Sequence, residues 1–160
     1  MKTEREGVLI STERELLDID FICRGLNSTY WAATRRRDVI EESIRNSVCF
    51  GVYDQAAGKQ IGFARVVTDR STFAWICDVF IDEGHRGRGL GRWLMSCVTA
   101  HPDVRNSMSI LGTRDAHGLY EKYGFVRTEL MKRPPGSQGP GEPRGGPPVA
   151  GPANPEGPRS

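Results

Sequence analysis

The sequence lacks every arrangement of cysteine and histidine that would hold a zinc ion or a disulfide framework. Its four cysteines show no CxxC spacing and lie inside apolar segments, and its three histidines are never paired at ligand spacing. We therefore predict reduced, buried thiols and a cytoplasmic protein without a bound metal. The residues concerned are Cys23, Cys49, Cys77, Cys97, His85, His101 and His117.

Long apolar runs and an excess of one charge are also missing. No stretch approaches the ~18 apolar residues of a membrane-spanning helix, and no apolar segment of a secretory signal follows the charged start of the chain. The 22 Lys and Arg balance 20 Asp and Glu to a net charge of +2, which excludes an overtly basic nucleic-acid-binding protein. We expect neither a membrane nor a nucleic acid as a partner.

Apolar side chains are scarce at the end of the chain. Residues 134–160 hold 9 of the 10 prolines and 7 of the 19 glycines, a composition that cannot bury a core. We therefore predict a single domain over residues 1–133, followed by a disordered Pro/Gly-rich tail over residues 134–160.

Hydrophobic periodicity predicts strands and helices in a mixed order. Helical spacing of apolar residues begins near Ile19, Val39 and Leu90. Strands are predicted over residues 8–11, 48–53, 60–68, 73–81, 107–113 and 125–131. A short helix over residues 116–123, capped by Asp115, is predicted between the last two strands. This order indicates one α/β or α+β domain with a mixed sheet.

The most informative segment, residues 86–92, reads Arg-Gly-Arg-Gly-Leu-Gly-Arg and joins a predicted strand to the helix from Leu90. Glycines let the backbone approach a ligand, and the unpaired N–H groups and dipole of a helix N-terminus favour an anion. A phosphate or pyrophosphate site is therefore predicted; the alternative is a turn that only joins two elements. The turn has neither the Lys-Ser/Thr of a P-loop nor GxGxxG spacing, which disfavours ATP, GTP and NAD.

Residues 86–91 also match the R/Q-x-x-G-x-G/A signature of the GNAT superfamily of acyl-CoA N-acyltransferases, and in this the sequence resembles that superfamily. A second family motif, L-Y-E-K-x-G-F, stands downstream at residues 119–125. The resemblance covers residues 8–131. It implies a GNAT-like fold, with a mixed, mostly antiparallel central sheet flanked by helices, and acetyl-CoA as the acyl donor.

The resemblance implies several contacts with coenzyme A. Backbone N–H groups of the turn would bind the pyrophosphate, and the end of the preceding strand would pair with the pantetheine amides by strand addition. Thr113 stands where the family often has Asn and could offer a hydroxyl. The cofactor-binding residues implied in this way are Val79, Phe80, Ile81, Arg86, Gly87, Arg88, Gly89, Leu90, Gly91, Arg92, Thr113 and Tyr120.

The resemblance also implies catalytic roles for Tyr120 and Asp78. The family commonly places this tyrosine beside the thioester sulfur, where a phenol can protonate the departing thiolate; the alternative is a tyrosine packed on a helix face. Asp78 interrupts an apolar strand, and similar diamine acetyltransferases have an Asp here beside the amine, so Asp78 is the candidate general base. A carboxylate hydrogen-bonded to a helix end or an arginine is the alternative.

Tyr30 and Trp31 complete the predicted site. They lie between the first two helices, where the family builds part of its acceptor pocket, and an exposed aromatic pair suits an apolar or cationic substrate; an aromatic cap on the core is the alternative. We hypothesise an N-acetyltransferase that moves acetyl from acetyl-CoA to a primary amine of a small molecule by direct attack. The alternatives are a protein N-terminal or lysine acetyltransferase and a non-catalytic acyl-CoA-binding module. A monomer and a homodimer are both compatible with the sequence.

Overall fold

The computed structural model describes residues 1–134 and Gly136, and the chain divides after Val126 into two units. The first unit, Met1–Val126, contains every helix and strand of the described residues. The described part of the second unit, Arg127–Ser160, contains neither helix nor strand. Apart from Pro134 and Gly136, the predicted tail lies outside the described residues, so the boundary between residues 133 and 134 stays a prediction.

A six-stranded mixed sheet forms the centre of the first unit. Its strands lie side by side in sequence order, and every neighbouring pair is antiparallel except the last, which is parallel. The strands are β1 Lys2–Arg5, β2 Val8–Ser11, β3 Val48–Asp54, β4 Lys59–Thr68, β5 Phe73–Ile81 and β6 Met108–Ile110. The expected mixed, mostly antiparallel sheet is confirmed.

Helices cover both faces of this sheet, because alternate residues of a strand point to opposite faces. Ile22 and Ile40, from the first two helices, share a buried cluster with Phe63 of β4, whereas Leu94 of the third shares another with Phe50 of β3. The helices are α1 Ile19–Asn27, α2 Arg37–Arg45, α3 Leu90–Ala100 and α4 His117–Tyr120, with 3₁₀ turns at Arg14–Leu16, Glu83–His85 and Glu121–Tyr123. No helix in the described part of the chain is long and apolar enough to cross a membrane.

The first strand, β1, is absent from the sequence prediction. Its residues, Lys-Thr-Glu-Arg, show no apolar alternation because β1 is an edge strand with little burial on either face. It forms a hairpin with β2 through Glu6 and Gly7, whose φ angles are 51° and 75°. Two consecutive positive φ angles characterise a two-residue type I′ turn, which fixes the pairing of Arg5 with Val8.

Two predictions after β6 are wrong. Residues 125–131 form no strand in the described part of the chain; their alternating pattern gives a local propensity, which does not by itself make a strand. Asp115 does not cap the following helix, since α4 has no side-chain cap at its N-terminal residue. Instead, the Thr113 hydroxyl oxygen accepts the backbone N–H of Ala116 at 3.0 Å.

Candidate active site

The parallel pairing of β5 with β6 ends early and leaves two thirds of β5 with an open edge. The two strands pair only from Phe73 and Met108 to Trp75 and Ile110, whereas β5 continues for six more residues, to Ile81. No described strand pairs with this edge beyond Trp75. Unpaired backbone N–H and C=O groups can pair with an extended ligand. This edge includes Val79, Phe80 and Ile81, the three residues expected to pair with pantetheine.

A β-bulge stands at the start of the open edge. Phe63 pairs with Phe80 and Arg65 pairs with Cys77, so that two residues of β5 face the single residue between them in β4. One of these two is Asp78, whose φ of 55° lies in the left-handed region. Asp tolerates this region better than most residues. The bulge turns the following residues away from the regular ladder and increases the local twist.

Asp78 is held by two arginines. Its Oδ2 accepts hydrogen bonds from Arg35 Nη1 at 2.9 Å and from Arg65 Nε at 2.8 Å, and its side chain is only 2% exposed. Arg65 also donates from Nη1 to the Ser47 hydroxyl at 3.1 Å. This geometry matches the second interpretation of Asp78 given above, a carboxylate that is hydrogen-bonded to an arginine. Neither arginine partner was predicted from the sequence, although Arg65 interrupts an apolar strand in the same way as Asp78 does.

The glycine-rich turn lies between the end of β5 and α3. Gly87 and Gly89 have φ angles of 79° and 75°, conformations that side chains rarely adopt. A Cβ atom on Gly87 would meet nothing within 4 Å, and one on Gly89 would meet only Arg5, at 3.9 Å. Space for a ligand therefore exists directly above the backbone of the turn.

The N-terminus of α3 has the properties of an anion site. Gly89 is its N-cap, no side chain caps the helix, and no acidic residue lies in the first turn. Leu90 is 4% exposed and packs into the core, so it can meet a ligand only through its backbone. The first N–H groups of a helix lack intrahelical partners and, with the helix dipole, attract negative charge.

Three arginines surround this N-terminus. Arg86 donates from Nε to the carbonyl of Ile81 at 3.2 Å, which ties the turn to the end of β5. Arg88 and Arg92 are exposed and form no ion pair with any described residue. Their guanidinium groups are available to a phosphate.

The two tyrosines of the second motif have different surroundings. The Tyr123 hydroxyl donates to the backbone carbonyl of Arg92 at 2.5 Å and lies 3.3 Å from the Ser96 hydroxyl. The Tyr120 hydroxyl makes no hydrogen bond with the described residues, and its ring packs partly buried against Phe125. Burial raises the pKa of Tyr120, and Asp115 and Tyr30 add to the increase. Tyr120 is therefore a protonated phenol with a free donor, and Tyr123 is a structural contact between α3 and the motif.

The aromatic pair Tyr30 and Trp31 is exposed between α1 and α2. The two side chains are 51% and 44% exposed, and their rings form an edge-to-face contact with centroids 4.8 Å apart. The guanidinium of Arg114 lies 4.4 Å from the centre of the Tyr30 ring. Because Arg114 belongs to the segment between β6 and α4, this contact joins the α1–α2 loop to the segment that leads to Tyr120.

None of the cysteines is an activated nucleophile. Burial raises the pKa of the Cys77 thiol, next to Asp78, to about 11 and that of Cys49 to about 12. Burial also raises the pKa of Cys23 and of Cys97. All four thiols are free and protonated at neutral pH, and the thiol is a much weaker nucleophile than the thiolate.

An open strand edge that leads into a basic, glycine-rich helix N-terminus is the arrangement expected of an acyl-CoA acyltransferase. The profile of the acetyltransferase (GNAT) domain matches residues 45–127. A protein of Gibberella zeae named "Putative acetyltransferase" is 32% identical, over 74% of this chain and 78% of the relative. The chain therefore belongs to the GNAT acetyltransferase family.

Solved structures agree with this assignment. A protein of Xanthomonas campestris pv. campestris, described as "a putative acetyltransferase belonging to the gnat family", is 43% identical, with a TM-score of 0.75 over 79% of this chain and 92% of its own. Glucosamine-6-phosphate N-acetyltransferase from Arabidopsis thaliana is 18% identical, with a TM-score of 0.59 over 82% of this chain and 100% of its own. The second likeness concerns the fold alone.

Proposed function

We propose that the protein is an N-acetyltransferase that moves an acetyl group from acetyl-CoA to a primary amine of a small molecule by direct attack. The observation that carries this proposal is the open edge of β5 running into the uncapped N-terminus of α3. An extended, amide-containing arm can pair with the edge from Val79 to Ile81, while an attached pyrophosphate meets the N–H groups of the turn.

The residues present at the turn fit the phosphates of coenzyme A. Gly87 and Gly89 leave open space above the turn, where a side chain on either glycine would stand. The guanidinium groups of Arg88 and Arg92 form no ion pair with any described residue and can bind the phosphates. The Thr113 hydroxyl accepts from Ala116 and donates to no described residue, so its proton is available to a ligand.

Tyr120 is the proposed general acid. Acetyl-CoA supplies an activated acyl group whose leaving group is a thiolate. Burial raises the pKa of Tyr120, which keeps the phenol protonated, and its hydroxyl has no hydrogen-bond partner among the described residues. Tyr120 can therefore donate a hydrogen bond to the departing sulfur and pass its proton to the thiolate as negative charge develops there. The protonated state of Cys77 supports direct attack by the amine over an acyl-cysteine intermediate.

Only a neutral amine has the lone pair for this attack, so its ammonium form must first lose a proton. A general-base role for Asp78 stays a prediction. The two ion pairs at Oδ2 support the alternative, in which the carboxylate positions Arg35 and Arg65 at the bulge. The exposed rings of Tyr30 and Trp31 are the proposed wall of the acceptor pocket and suit an amine with an apolar or cationic body.

Thiol release from acetyl-CoA by the purified full chain tests the proposal. The panel contains small primary amines, amino acids, and peptides with a free N-terminus or a lysine. The tertiary analogue of each active amine is the matched control, because it binds similarly but cannot form a stable amide. We expect amine-dependent thiol release and a mass increase of one acetyl group on a small primary amine. Coenzyme A binding without release for any amine would instead indicate a binding module, and a peptide as the best substrate would indicate a protein acceptor.

A further inference from the structure

The N-terminal hairpin reaches the glycine-rich turn. The type I′ turn at Glu6 and Gly7 places Arg5 as the last residue of β1 before the chain reverses. The Arg5 guanidinium carbon lies 4.9 Å from the ring centroid of Trp93, which belongs to the first turn of α3. Its Nη2 atom lies 3.9 Å from the position that a Cβ on Gly89 would occupy. An arginine distant in sequence therefore stands beside the helix N-cap.

The contact with Trp93 orients Arg5 without using its hydrogen-bond donors. A guanidinium that lies over an aromatic face is attracted to the ring, while its N–H groups point outward from its edges. Among the described residues Arg5 forms no ion pair. Asp82 at the start of the turn and Asp54 at the end of β3 lie 3.3 and 3.8 Å from His85 nitrogens. Arg5 therefore has a guanidinium without an ion-pair partner among the described residues, beside an uncapped helix N-terminus.

We propose that Arg5 binds a phosphate group of the acyl donor, so that the N-terminal hairpin completes the donor site. The inference rests on the proposed binding of acetyl-CoA to this turn, and it adds a residue that neither sequence motif contains. A guanidinium fork matches two phosphate oxygens. The stacking on Trp93 restricts the side chain before the ligand arrives, which lowers the entropy lost on binding. The phosphate is either the pyrophosphate or the 3′-phosphate of coenzyme A.

Calorimetric titration of the full chain with coenzyme A and with 3′-dephospho-coenzyme A tests this inference. The variants are Arg5→Gln and Arg5→Lys, and Lys2→Gln is the matched control. Lys2 lies at the other end of β1 in an exposed pair with Glu13, so its replacement changes the net charge equally at a distance from the turn. Melting temperatures without ligand report whether each variant keeps its fold.

We expect Arg5→Gln to weaken coenzyme A binding by about 10- to 150-fold, the range for a hydrogen bond to a charged group. Arg5→Lys should recover part of this loss, and Lys2→Gln should change affinity less than about twofold. The loss should shrink in ~1 M salt, where the Debye length is about 3 Å. If Arg5→Gln abolishes the preference for coenzyme A over its dephospho form, Arg5 binds the 3′-phosphate; if both ligands weaken equally, it binds the pyrophosphate.

Two results would overturn the inference while leaving the proposed function intact. One is wild-type affinity in a folded Arg5→Gln variant, and the other is a loss that persists unchanged in ~1 M salt, which would indicate a displaced hairpin. Failure of the wild-type protein to bind coenzyme A has a different meaning: it would overturn the proposed function, and the role of Arg5 with it.

Discussion

Substitution of Asp78 separates its two possible roles, as a general base and as the residue that positions two arginines. Asp78→Asn removes the charge but keeps an oxygen acceptor and the tolerance of Asn for the left-handed φ of 55°. Asp78→Ala also removes the acceptor and adds backbone strain. Asp78→Gly removes the side chain without that strain. The three variants therefore isolate the charge, the side chain and the conformation.

The expected loss of stability follows from the burial of the three partners. Breaking a buried ion pair costs about 3–5 kcal/mol, but the Arg35 and Arg65 side chains are 25% and 12% exposed. Because Arg35 can turn toward water and Asn keeps an acceptor, we expect Asp78→Asn to lower the free energy of unfolding by about 2–3 kcal/mol. Asp78→Ala should cost about 4 kcal/mol, including roughly 1 kcal/mol of left-handed strain that Asp78→Gly avoids.

Urea and thermal unfolding at pH 7 and the pH dependence of kcat/KM are the assays. The loss for Asp78→Asn corresponds to a decrease of about 6–12 °C in Tm for a domain of this size. If Asp78 only positions the arginines, the variant keeps the shape of the wild-type pH profile. If Asp78 is the base, Asp78→Asn loses the acidic limb and about 10²- to 10⁴-fold in rate.

An exposed ion pair is the matched control for this series. Asp38 is 61% exposed and pairs with Arg36. Asp38→Asn should therefore lower the free energy of unfolding by less than about 1 kcal/mol. An Asp78→Asn variant with the wild-type unfolding midpoint would refute the reasoning about the buried ion pairs. Equal losses for the two variants would show that burial does not distinguish them.

Three further predictions concern the acid, the turn and a loop carboxylate. Tyr120→Phe should lower kcat by roughly 10- to 1,000-fold with unchanged coenzyme A affinity. Tyr123→Phe should lower the free energy of unfolding by about 1 kcal/mol and change kcat little. Equal kcat values for these two variants in steady-state assays would contradict this assignment. Gly89→Ala should weaken coenzyme A binding in calorimetry by about tenfold because it fills the anion site, while Gly91→Ala, whose methyl would only touch Ile81 at 3.9 Å, should bind normally. Four hydrogen bonds lower the pKa of Asp69, so its stabilisation is present above about pH 4 and is lost as the pH falls further. The Tm difference between wild type and Asp69→Asn should therefore narrow below pH 4, and a constant difference would refute it.

Much of the fold could be predicted because apolar residues recur at regular helical or strand spacing along its long elements. The helices from Ile19 and Leu90 begin where their apolar spacing begins, and β3, β4 and β5 match the predicted strands within two residues. The errors fall where the pairing partner decides the outcome. β1 has no apolar face and forms a strand because β2 offers an edge and a type I′ turn. Residues 125–131 have the alternating pattern but form no strand in the described part of the chain.

The candidate site could be predicted only as far as local motifs reach. The turn and Tyr120 lie in contiguous segments, where backbone conformation follows from glycine and helix signals. Arg35 meets Asp78 across 43 positions of sequence and Arg65 across 13, and no local pattern encodes such pairings. One signal was available for Arg65: a cation in an apolar strand requires a partner, and Asp78 is the acid in the neighbouring strand.

The bulge explains how one sheet can be both continuous and open. β6 contributes only three paired residues, and the bulge follows three positions after its last partner, Trp75. A regular β5 without the bulge would stay beside β6, and residues after Ile110 could then continue the pairing of the two strands. The left-handed residue at Asp78 changes the twist there, and the ion pairs with Arg35 and Arg65 stabilise that strained conformation. The backbone from Val79 to Ile81 thereby keeps an edge that no described strand pairs with, and water or an extended ligand can complete its hydrogen bonds.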